Sequence, residues 1–326
     1  MKMDSNADSR LFVESVTGVI PLEAIGICDA HNHLWIEKVE GNQLGSPILN
    51  NFDPIKNELI YYRRSGGSTI VDCQPGGCGR DGRVLKQLSL DSGVQIISVT
   101  GFHLPKYYPS DFWLYQASAD QAKTYFISEI KRGLVETLQL KTPVKAGLIK
   151  IACQSRFQDT PQALLEAAAD TCLETGIAIE AHTEKGSEAE IFVDFFLGRG
   201  VPAERLVICH IDKRPDFSLH HDLATTGILL EYDTCYRPKY EPEKNLWPLI
   251  QKMIAAGLEN SIALATDMAE IELWSLFGHG PGLGGFLTII GPRLKDLELE
   301  SSLDKLLGGN IASRLAMPYE HFERGF

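Results

Sequence analysis

Short apolar runs rich in β-branched residues alternate along the chain with longer segments whose apolar residues recur at helical spacing. The runs predict eight strands, at residues 25–28, 68–72, 95–100, 146–151, 177–181, 206–209, 227–231 and 261–266. Amphipathic segments of helical length lie between most of them, for example 120–138, 161–175, 188–200 and 243–257, with Gly176, Gly200 and Gly257 as stops. This alternation predicts a parallel sheet covered by helices.

Eight strand–helix units fit a closed barrel better than an open sheet, so the predicted fold is α/β, a single (β/α)8 TIM barrel. A length of 326 residues would also allow two domains, but no linker or low-complexity tract divides the chain, and we expect one domain over 1–326. The alternative is a Rossmann-type fold. Its glycine-rich signature would have to lie between a first strand and its helix, whereas the glycine-rich stretch 278–285, which we interpret as a mobile loop, follows the last strand.

Composition narrows the class of partner. The chain is 44% hydrophobic and 23% charged, as in a typical soluble globular protein. Its net charge of −12 disfavours nucleic acid or an anionic membrane surface as a general partner, and leaves a small molecule, which a local basic cluster would have to bind if it is anionic. The sequence does not fix the oligomeric state and leaves a homodimer open.

Features of targeting and redox chemistry favour a cytoplasmic protein. Acidic residues, among them Glu14 and Asp29, interrupt the apolar stretches of the first 30 residues, which therefore lack the order of a signal peptide. No window reaches the roughly 18 apolar residues of a membrane helix. The seven cysteines are scattered without a CxxC pair, and we expect reduced thiols.

Residues of metal-ligand type occur within or just after five predicted strands, where TIM barrels carry their active sites. A histidine pair with one residue between is a weak signal alone, since two surface histidines give the same pattern. Here the further candidates follow at intervals of about one or two strand–helix units. The predicted metal ligands are His31, His33, Lys150, His182, His210 and Asp267.

The residue types indicate which metals to expect. Four imidazoles and an aspartate suit Zn²⁺, and Mn²⁺ or Co²⁺ fit the same donors. Six ligands exceed one tetrahedral site, so we expect two divalent metal ions. Lys150 lies in an otherwise apolar strand, where an unpaired ammonium is costly to bury. A buried lysine with a lowered pKa can take up CO2, and its carbamate would be an anionic bridge between the metals.

These motifs together resemble the phosphotriesterase family of the amidohydrolase superfamily. The resemblance is carried by His31-x-His33, Gly147-Leu-Ile-Lys150-Ile-Ala152, His182-Thr183, His210-Ile-Asp212, Thr266-Asp267 and the closing helix Asn310-Ile-Ala-Ser-Arg314-Leu. It implies that His31, His33 and Asp267 hold a buried metal, that His182 and His210 hold a more exposed one, and that carboxylated Lys150 bridges the two. Asn32, where the family usually has an acidic residue, and Ile311, where it often has proline, depart from the pattern without removing a ligand.

The implied chemistry is hydrolysis at a carbonyl or phosphoryl centre. Two metals that share a hydroxide lower the pKa of bound water towards 7 and polarise the electrophile. We expect Asp267 and Lys150 to be the catalytic residues, with Asp267 accepting the proton of the nucleophile. The substrate must be chosen by the loops, because such a centre serves lactones, esters and phosphotriesters alike.

Basic and aromatic residues cluster in the loops after strands 3, 6 and 7. The predicted substrate-binding residues are His103, Lys213, Tyr236, Arg237, Lys239 and Tyr240. Their cations would suit a phosphate or carboxylate, although a solvated charged loop would look the same. The loops resemble the branch of the family that opens sugar lactones, including phosphorylated ones. Glu270 stands where we expect a basic residue in the enzymes for phosphorylated lactones, which puts the phosphate in doubt.

The leading hypothesis is therefore a lactonase with two metals. The first alternative is a phosphotriester or carboxylic ester hydrolase, which large apolar side chains in the loops after strands 7 and 8 would favour. A mononuclear deaminase is a second alternative, because Glu184 resembles the acid used there, and it would hold one metal rather than two. A non-catalytic barrel is disfavoured, because all six ligands are present.

Overall fold

The computed structural model describes residues 10–323. Two antiparallel strands come first, β1 (Leu11–Ser15) and β2 (Gly18–Pro21), and form a small sheet with β11 (Met317–Pro318) near the other end of the chain. The barrel strands are β3 (Cys28–Asn32), β4 (Thr69–Asp72), β5 (Gln95–Gly101), β6 (Leu148–Ala152), β7 (Ile179–His182), β8 (Leu206–Cys209), β9 (Leu229–Tyr232) and β10 (Ile262–Leu264). Within the described residues these eight strands pair in parallel and in sequence order.

Helices pack around the outside of this sheet. They are α1 (Phe52–Arg64), α2 (Gly82–Ser92), α3 (Ala119–Lys131), α4 (Gln162–Thr175), α5 (Ala189–Gly198), α6 (Phe217–Thr225), α7 (Leu246–Ala255), α8 (Ser275–Gly278), α9 (Gly291–Asp296), α10 (Asn310–Leu315) and α11 (Glu320–Glu323). Helix α4 ends at Gly176, whose left-handed φ of 71° lets its amide cap the last turn, as predicted. None of the helices in residues 10–323 is long and apolar enough to cross a membrane.

The barrel closes between its first and last strands through polar contacts. The backbone amide of Asp267 donates to the carbonyl of His31 at 3.0 Å, and that of Thr266 donates to Asp29 Oδ1 at 3.1 Å. The side-chain amide of Asn32 donates to both Asp29 and Thr266. The fold is therefore the predicted (β/α)8 TIM barrel, and Asn32 helps to close it. The prediction of one domain over 1–326 stays a prediction.

The alternation of side chains along strand β6 explains why Lys150 points into the barrel. Ile149 and Ile151 face the helices, whereas Leu148 packs inside the barrel, so Lys150, two residues further along, points inward as well. Gly101 of β5 lies against the backbone here, and a Cβ at this position would lie 1.8 Å from the carbonyl oxygen of Lys150. Only glycine lets the two strands approach this closely.

Two predicted boundaries are wrong for local reasons. The first barrel strand was placed at 25–28 but begins at Cys28, because a turn at Leu22–Ala24 and a left-handed Gly26 precede it. His31 therefore lies within the strand rather than after it. The helix predicted at 120–138 ends at Lys131, because Gly133 adopts a φ of 132° and breaks the helical path.

Candidate metal centre at the carboxyl ends of the strands

All six predicted ligand residues meet at the carboxyl end of the barrel. The ring centres of His31 and His210 are 4.9 Å apart, and those of His182 and His210 are 4.5 Å apart. Lys150 Nζ lies 3.3 Å from His31 Nε2. The strand ends bring these side chains together because β3, β6, β7, β8 and β10 finish at the same rim.

His31, His33 and Asp267 form the first group. The Nε2 atoms of His31 and His33 lie 4.0 and 3.8 Å from Asp267 Oδ1. The other nitrogen of each ring is already held, since Nδ1 of His31 lies 2.8 Å from Glu231 and Nδ1 of His33 lies 2.7 Å from the amide oxygen of Gln74. An imidazole anchored through one nitrogen and open at the other is the usual arrangement of a metal-binding histidine.

His210, Asp233 and Asp267 form a second group that shares Asp267 with the first. Nδ1 of His210 hydrogen-bonds Asp233 Oδ2 and lies 3.9 Å from Asp267 Oδ2. His210 and Asp267 both adopt left-handed backbone conformations, with φ of 65° and 47°. Such conformations are uncommon outside glycine and collect at functional sites, where the surrounding structure holds them.

His182 lies beside the second group but contacts a different carboxylate. Its Nε2 is 3.0 Å from Oε1 of Glu184. This hydrogen bond, together with other nearby charges, lowers the pKa of Glu184 to about 2, so Glu184 is ionised. The sequence placed His182 with His210 around one metal. In the structure their rings are neighbours, and His210 also hydrogen-bonds Asp233, which the sequence did not single out.

Lys150 is fully buried beneath the histidines and is held by a carboxylate. Its Nζ lies 3.0 Å from Glu180 Oε1, and Cys73 Sγ donates to the same oxygen at 2.9 Å. Burial lowers the pKa of Lys150, but neighbouring groups, chiefly Cys209 and Glu180, outweigh it and raise the pKa well above its ordinary value. The lowered pKa expected from the sequence is therefore absent in this state of the protein.

Burial keeps the four imidazoles uncharged. It lowers the pKa of His33 to about 4, that of His210 to about 3, and those of His31 and His182 in the same direction. Asp267 remains a carboxylate: burial alone would raise its pKa, but Arg237, His210 and Lys213 together lower it. Neutral imidazoles beside ionised carboxylates are the protonation states that bind divalent metals.

Sequence reasoning missed the carboxylates that support these ligands. Asp233, Glu231 and Glu180 are fully buried. Glu231 and Glu180 each keep one oxygen with no hydrogen-bond partner among the described residues. A signal was present, because Glu180 and Glu231 are charged residues in apolar strands, like Lys150.

Most of the basic residues predicted to bind substrate form ion pairs or hydrogen bonds with other groups of the protein. Arg237 is 5% exposed and donates to Asp267 Oδ2 at 3.1 Å and to backbone carbonyls of Asp233, Thr266 and Asp267. Lys213 lies 3.0 Å from Asp233 Oδ1. Both cations therefore contact carboxylates of the two ligand groups.

The other loop residues differ in their access to the centre. The hydroxyl oxygen of Tyr236 is buried and faces Gly285. Tyr240 lies between two ammonium groups, those of Lys213 and Lys239, at 5.8 and 5.4 Å from its ring centre. Lys239 is exposed and lies 3.8 Å from Glu270.

His103 borders a recess of about 40 Å³ beside His33. Its ring centre is 5.4 Å from that of His182, and its Nδ1 accepts the amide of Leu104, so Nε2 carries the proton. The recess is lined by His33, Ile36, Asn42, Ser46, Pro47, Gln74, Cys78, His103, Tyr107 and Ala269. A larger cavity of about 350 Å³ includes Glu14, Ala146 and Ile177, at the opposite end of the barrel, and is remote from the four ligand histidines.

Comparisons with known proteins agree with this centre. A model of the phosphotriesterase family matches residues 12–312. A phospho-furanose lactonase of Mycoplasmopsis synoviae is 31% identical over 287 residues, 83% of this chain and 80% of that protein. The N-acetyltaurine hydrolase of Homo sapiens is 27% identical over 292 residues, 85% of this chain and 81% of that protein. The crystal structure of a lactonase from Listeria monocytogenes has a TM-score of 0.84 at 25% identity, covering 93% of this chain and 98% of that one.

The family match runs from β1 to α10 and includes every residue of both ligand groups. These relatives are hydrolases by name, and the predicted resemblance is confirmed over most of the chain. The chain is a hydrolase, and it belongs to the phosphotriesterase family.

Proposed function

We propose that this protein is a metal-dependent lactonase with a binuclear centre, which hydrolyses the ring ester of a lactone. The observation that carries the proposal is the carboxylate of Asp267, which lies between two buried ligand groups. The similarity to a phospho-furanose lactonase over four fifths of both chains supports the reaction class.

The donor set fits two divalent ions. His31, His33 and Asp267 would hold one, while His210 and Asp267, with His182 or Asp233, would hold the other. Imidazoles and carboxylates suit Zn²⁺, which is our first choice of metal. Glu180 and Glu231 place two further buried carboxyl groups in this interior, and each keeps one oxygen without a hydrogen-bond partner among the described residues.

We propose further that Lys150 is carboxylated by CO2 in the active protein. The amine lies next to His31, where a carbamate would add an anionic ligand to both groups. Forming it requires the ammonium to lose a proton and to leave Glu180, its partner at 3.0 Å. Binding of cations nearby favours that loss, because like charges destabilise the ammonium.

The chain's own residues would orient the reaction. When bound, the metals would supply an activated water and polarise the lactone carbonyl. Water adds to the carbonyl carbon, the ring C–O bond breaks, and Asp267 carries the proton from the water to the departing ring oxygen. Arg237 and Lys213 hold Asp267 Oδ2, so that Oδ1 faces the Nε2 atoms of His31 and His33.

The substrate would enter beside His33 and His103. The recess there is lined by neutral hydrogen-bonding groups together with apolar side chains, which suits a small ring that carries hydroxyl groups. Tyr107 packs edge-on against His103, with ring centres 4.5 Å apart, and forms part of the wall.

A panel of substrates tests the proposal. Zn²⁺-loaded protein should hydrolyse furanose γ-lactones faster than an aryl ester, an aryl phosphotriester or N-acetyltaurine. Asp267→Asn should lose activity, whereas His221→Gln, a change at an exposed histidine, should retain it. Absence of lactone hydrolysis at every metal loading would refute the proposal, and a preference for the phosphotriester or for N-acetyltaurine would assign one of those reactions instead.

A further inference from the structure

We infer that the lactone this enzyme opens carries no anionic group, because the cations Lys213, Arg237 and Lys239 lie within 4 Å of carboxylates of the protein itself and Lys106 shares its recess with another carboxylate. This inference rests on the proposed lactonase function and narrows its substrate class. It differs from what the name of the phospho-furanose lactonase says of that relative.

The two largely buried cations, Lys213 and Arg237, already contact the carboxylates of the ligand groups. Lys213 is 10% exposed and lies 3.0 Å from Asp233 and 3.9 Å from Asp267. Arg237 directs its guanidinium at Asp267 and at three backbone carbonyls. Moving either cation towards a substrate would leave a buried carboxylate unpaired, which is costly.

Lys239, the exposed cation of the same loop as Arg237, lies close to the carboxylate of Glu270. Lys239 Nζ lies 3.8 Å from Glu270 Oε1, and both side chains are exposed. Glu270 directly follows Ala269, which lines the recess beside His33 where the substrate would enter. An anionic substrate that approached Lys239 would meet the like charge of Glu270.

A fourth cation, Lys106, shares a second recess with a carboxylate. This recess is lined by Leu104, Pro105, Lys106, Gln154, Ser155 and Glu184. The Lys106 ammonium lies over the Tyr107 ring, 5.0 Å from its centre. Glu184 Oε1 lies 3.0 Å from Nε2 of His182, and its carboxylate shares the recess with Lys106. The lining of this recess therefore contains one cation and one carboxylate.

The recess beside His33 offers hydrogen bonds without charge. Its polar lining consists of the amides of Asn42 and Gln74, the hydroxyls of Ser46 and Tyr107, and the imidazoles of His33 and His103. These groups suit the hydroxyl groups of a neutral sugar lactone. They provide no cation for a phosphate, which proteins usually bind with Arg or Lys.

The test compares a pentono-1,4-lactone with the same lactone carrying a 5-phosphate. We expect kcat/KM of the Zn²⁺-loaded protein to be at least about tenfold higher for the neutral lactone, a difference set by charge repulsion. Glu270→Gln should raise kcat/KM for the phosphate about threefold by freeing Lys239, and leave the neutral lactone unchanged.

Glu272→Gln is the matched control, because it removes the same charge from an exposed residue two positions away. It should alter neither substrate. A wild-type preference for the phosphate, or a Glu270→Gln variant that behaves like Glu272→Gln, would overturn the inference alone. Hydrolysis of neither lactone would overturn the proposed function, and the inference with it.

Discussion

The guanidinium of Arg237 lies 3.1 Å from Oδ2 of Asp267, and the same group donates to the backbone carbonyl of Asp267 at 2.6 Å. These contacts hold both the side chain and the backbone of a residue whose φ of 47° is unusual for an aspartate. Arg237 was predicted to bind an anionic substrate. In the structure it fixes the carboxylate that both ligand groups share.

Arg237→Ala should therefore lower kcat on a neutral lactone about a hundredfold, because Asp267 loses its orientation. The free energy of unfolding should fall by about 3 kcal/mol, since a buried carboxylate loses its partner. Lys239→Ala, at the exposed cation of the same loop, is the control and should change neither quantity on the neutral lactone. An effect of Arg237→Ala confined to KM for anionic substrates would restore the original interpretation.

Asp233→Asn tests whether the second ligand group depends on a residue that the sequence did not single out. Asp233 contacts His210 Nδ1 and Lys213 Nζ, so its loss should weaken metal binding at this group 10- to 100-fold. Metal analysis of dialysed protein should show about one metal per chain in the variant and two in the wild type. Asp222→Asn, at an exposed carboxylate, should keep both metals. Two retained metals in Asp233→Asn would remove Asp233 from the centre.

Lys150→Ala should abolish the proposed bridge. We expect kcat to fall at least about a hundredfold, and a short carboxylic acid such as propionate to restore part of it by filling the space of the carbamate. Circular dichroism would verify that the variant is folded. Full activity in Lys150→Ala without added acid would reject the carbamate.

The stability of the metal-free protein should depend on pH through His33. Burial lowers the pKa of His33 to about 4, whereas an unfolded histidine titrates near 6.5. Between these values the unfolded chain binds a proton that the folded chain does not, so the free energy of unfolding falls as the pH falls. Above pH 6.5 His33 is neutral in both states and costs no stability, and by pH 4 its protonation in the unfolded chain lowers the free energy of unfolding by about 3 kcal/mol.

Denaturant unfolding of wild type and His33→Gln from pH 7.5 to 4 measures this contribution. Asp29, whose pKa burial raises to about 7, acts in the opposite direction in both proteins and cancels in the difference. The stability of the wild type should decline relative to the variant as the pH falls. Parallel curves would contradict the neutral, buried state of His33.

The sequence was sufficient to predict the barrel and the meeting of the six ligand candidates at one rim. Parallel strands of one barrel end at one rim, so residues such as His182 and His210, one strand–helix unit apart, had to meet. This prediction needed only the periodicity of apolar residues and the residue types at the strand ends, and both can be read directly from the sequence.

The supporting contacts could not be predicted in the same way. Arg237 and Asp267 belong to different loops, and their distance depends on how both loops fold. A surface lysine and a buried arginine look alike in a sequence, although Lys239 is 61% exposed and Arg237 is 5% exposed. Strand 7 was predicted to end at Glu231, so Asp233, two residues beyond, was not considered as a site residue.

A metal titration tests the central claim most directly. Protein stripped with a chelator would receive zero, one, two and three equivalents of Zn²⁺, and hydrolysis of a neutral pentono-1,4-lactone would be followed by acid release. We predict negligible activity without metal and a rise that levels off at two equivalents per chain. Full activity in the stripped protein, or no lactone hydrolysis at any loading, would contradict the account.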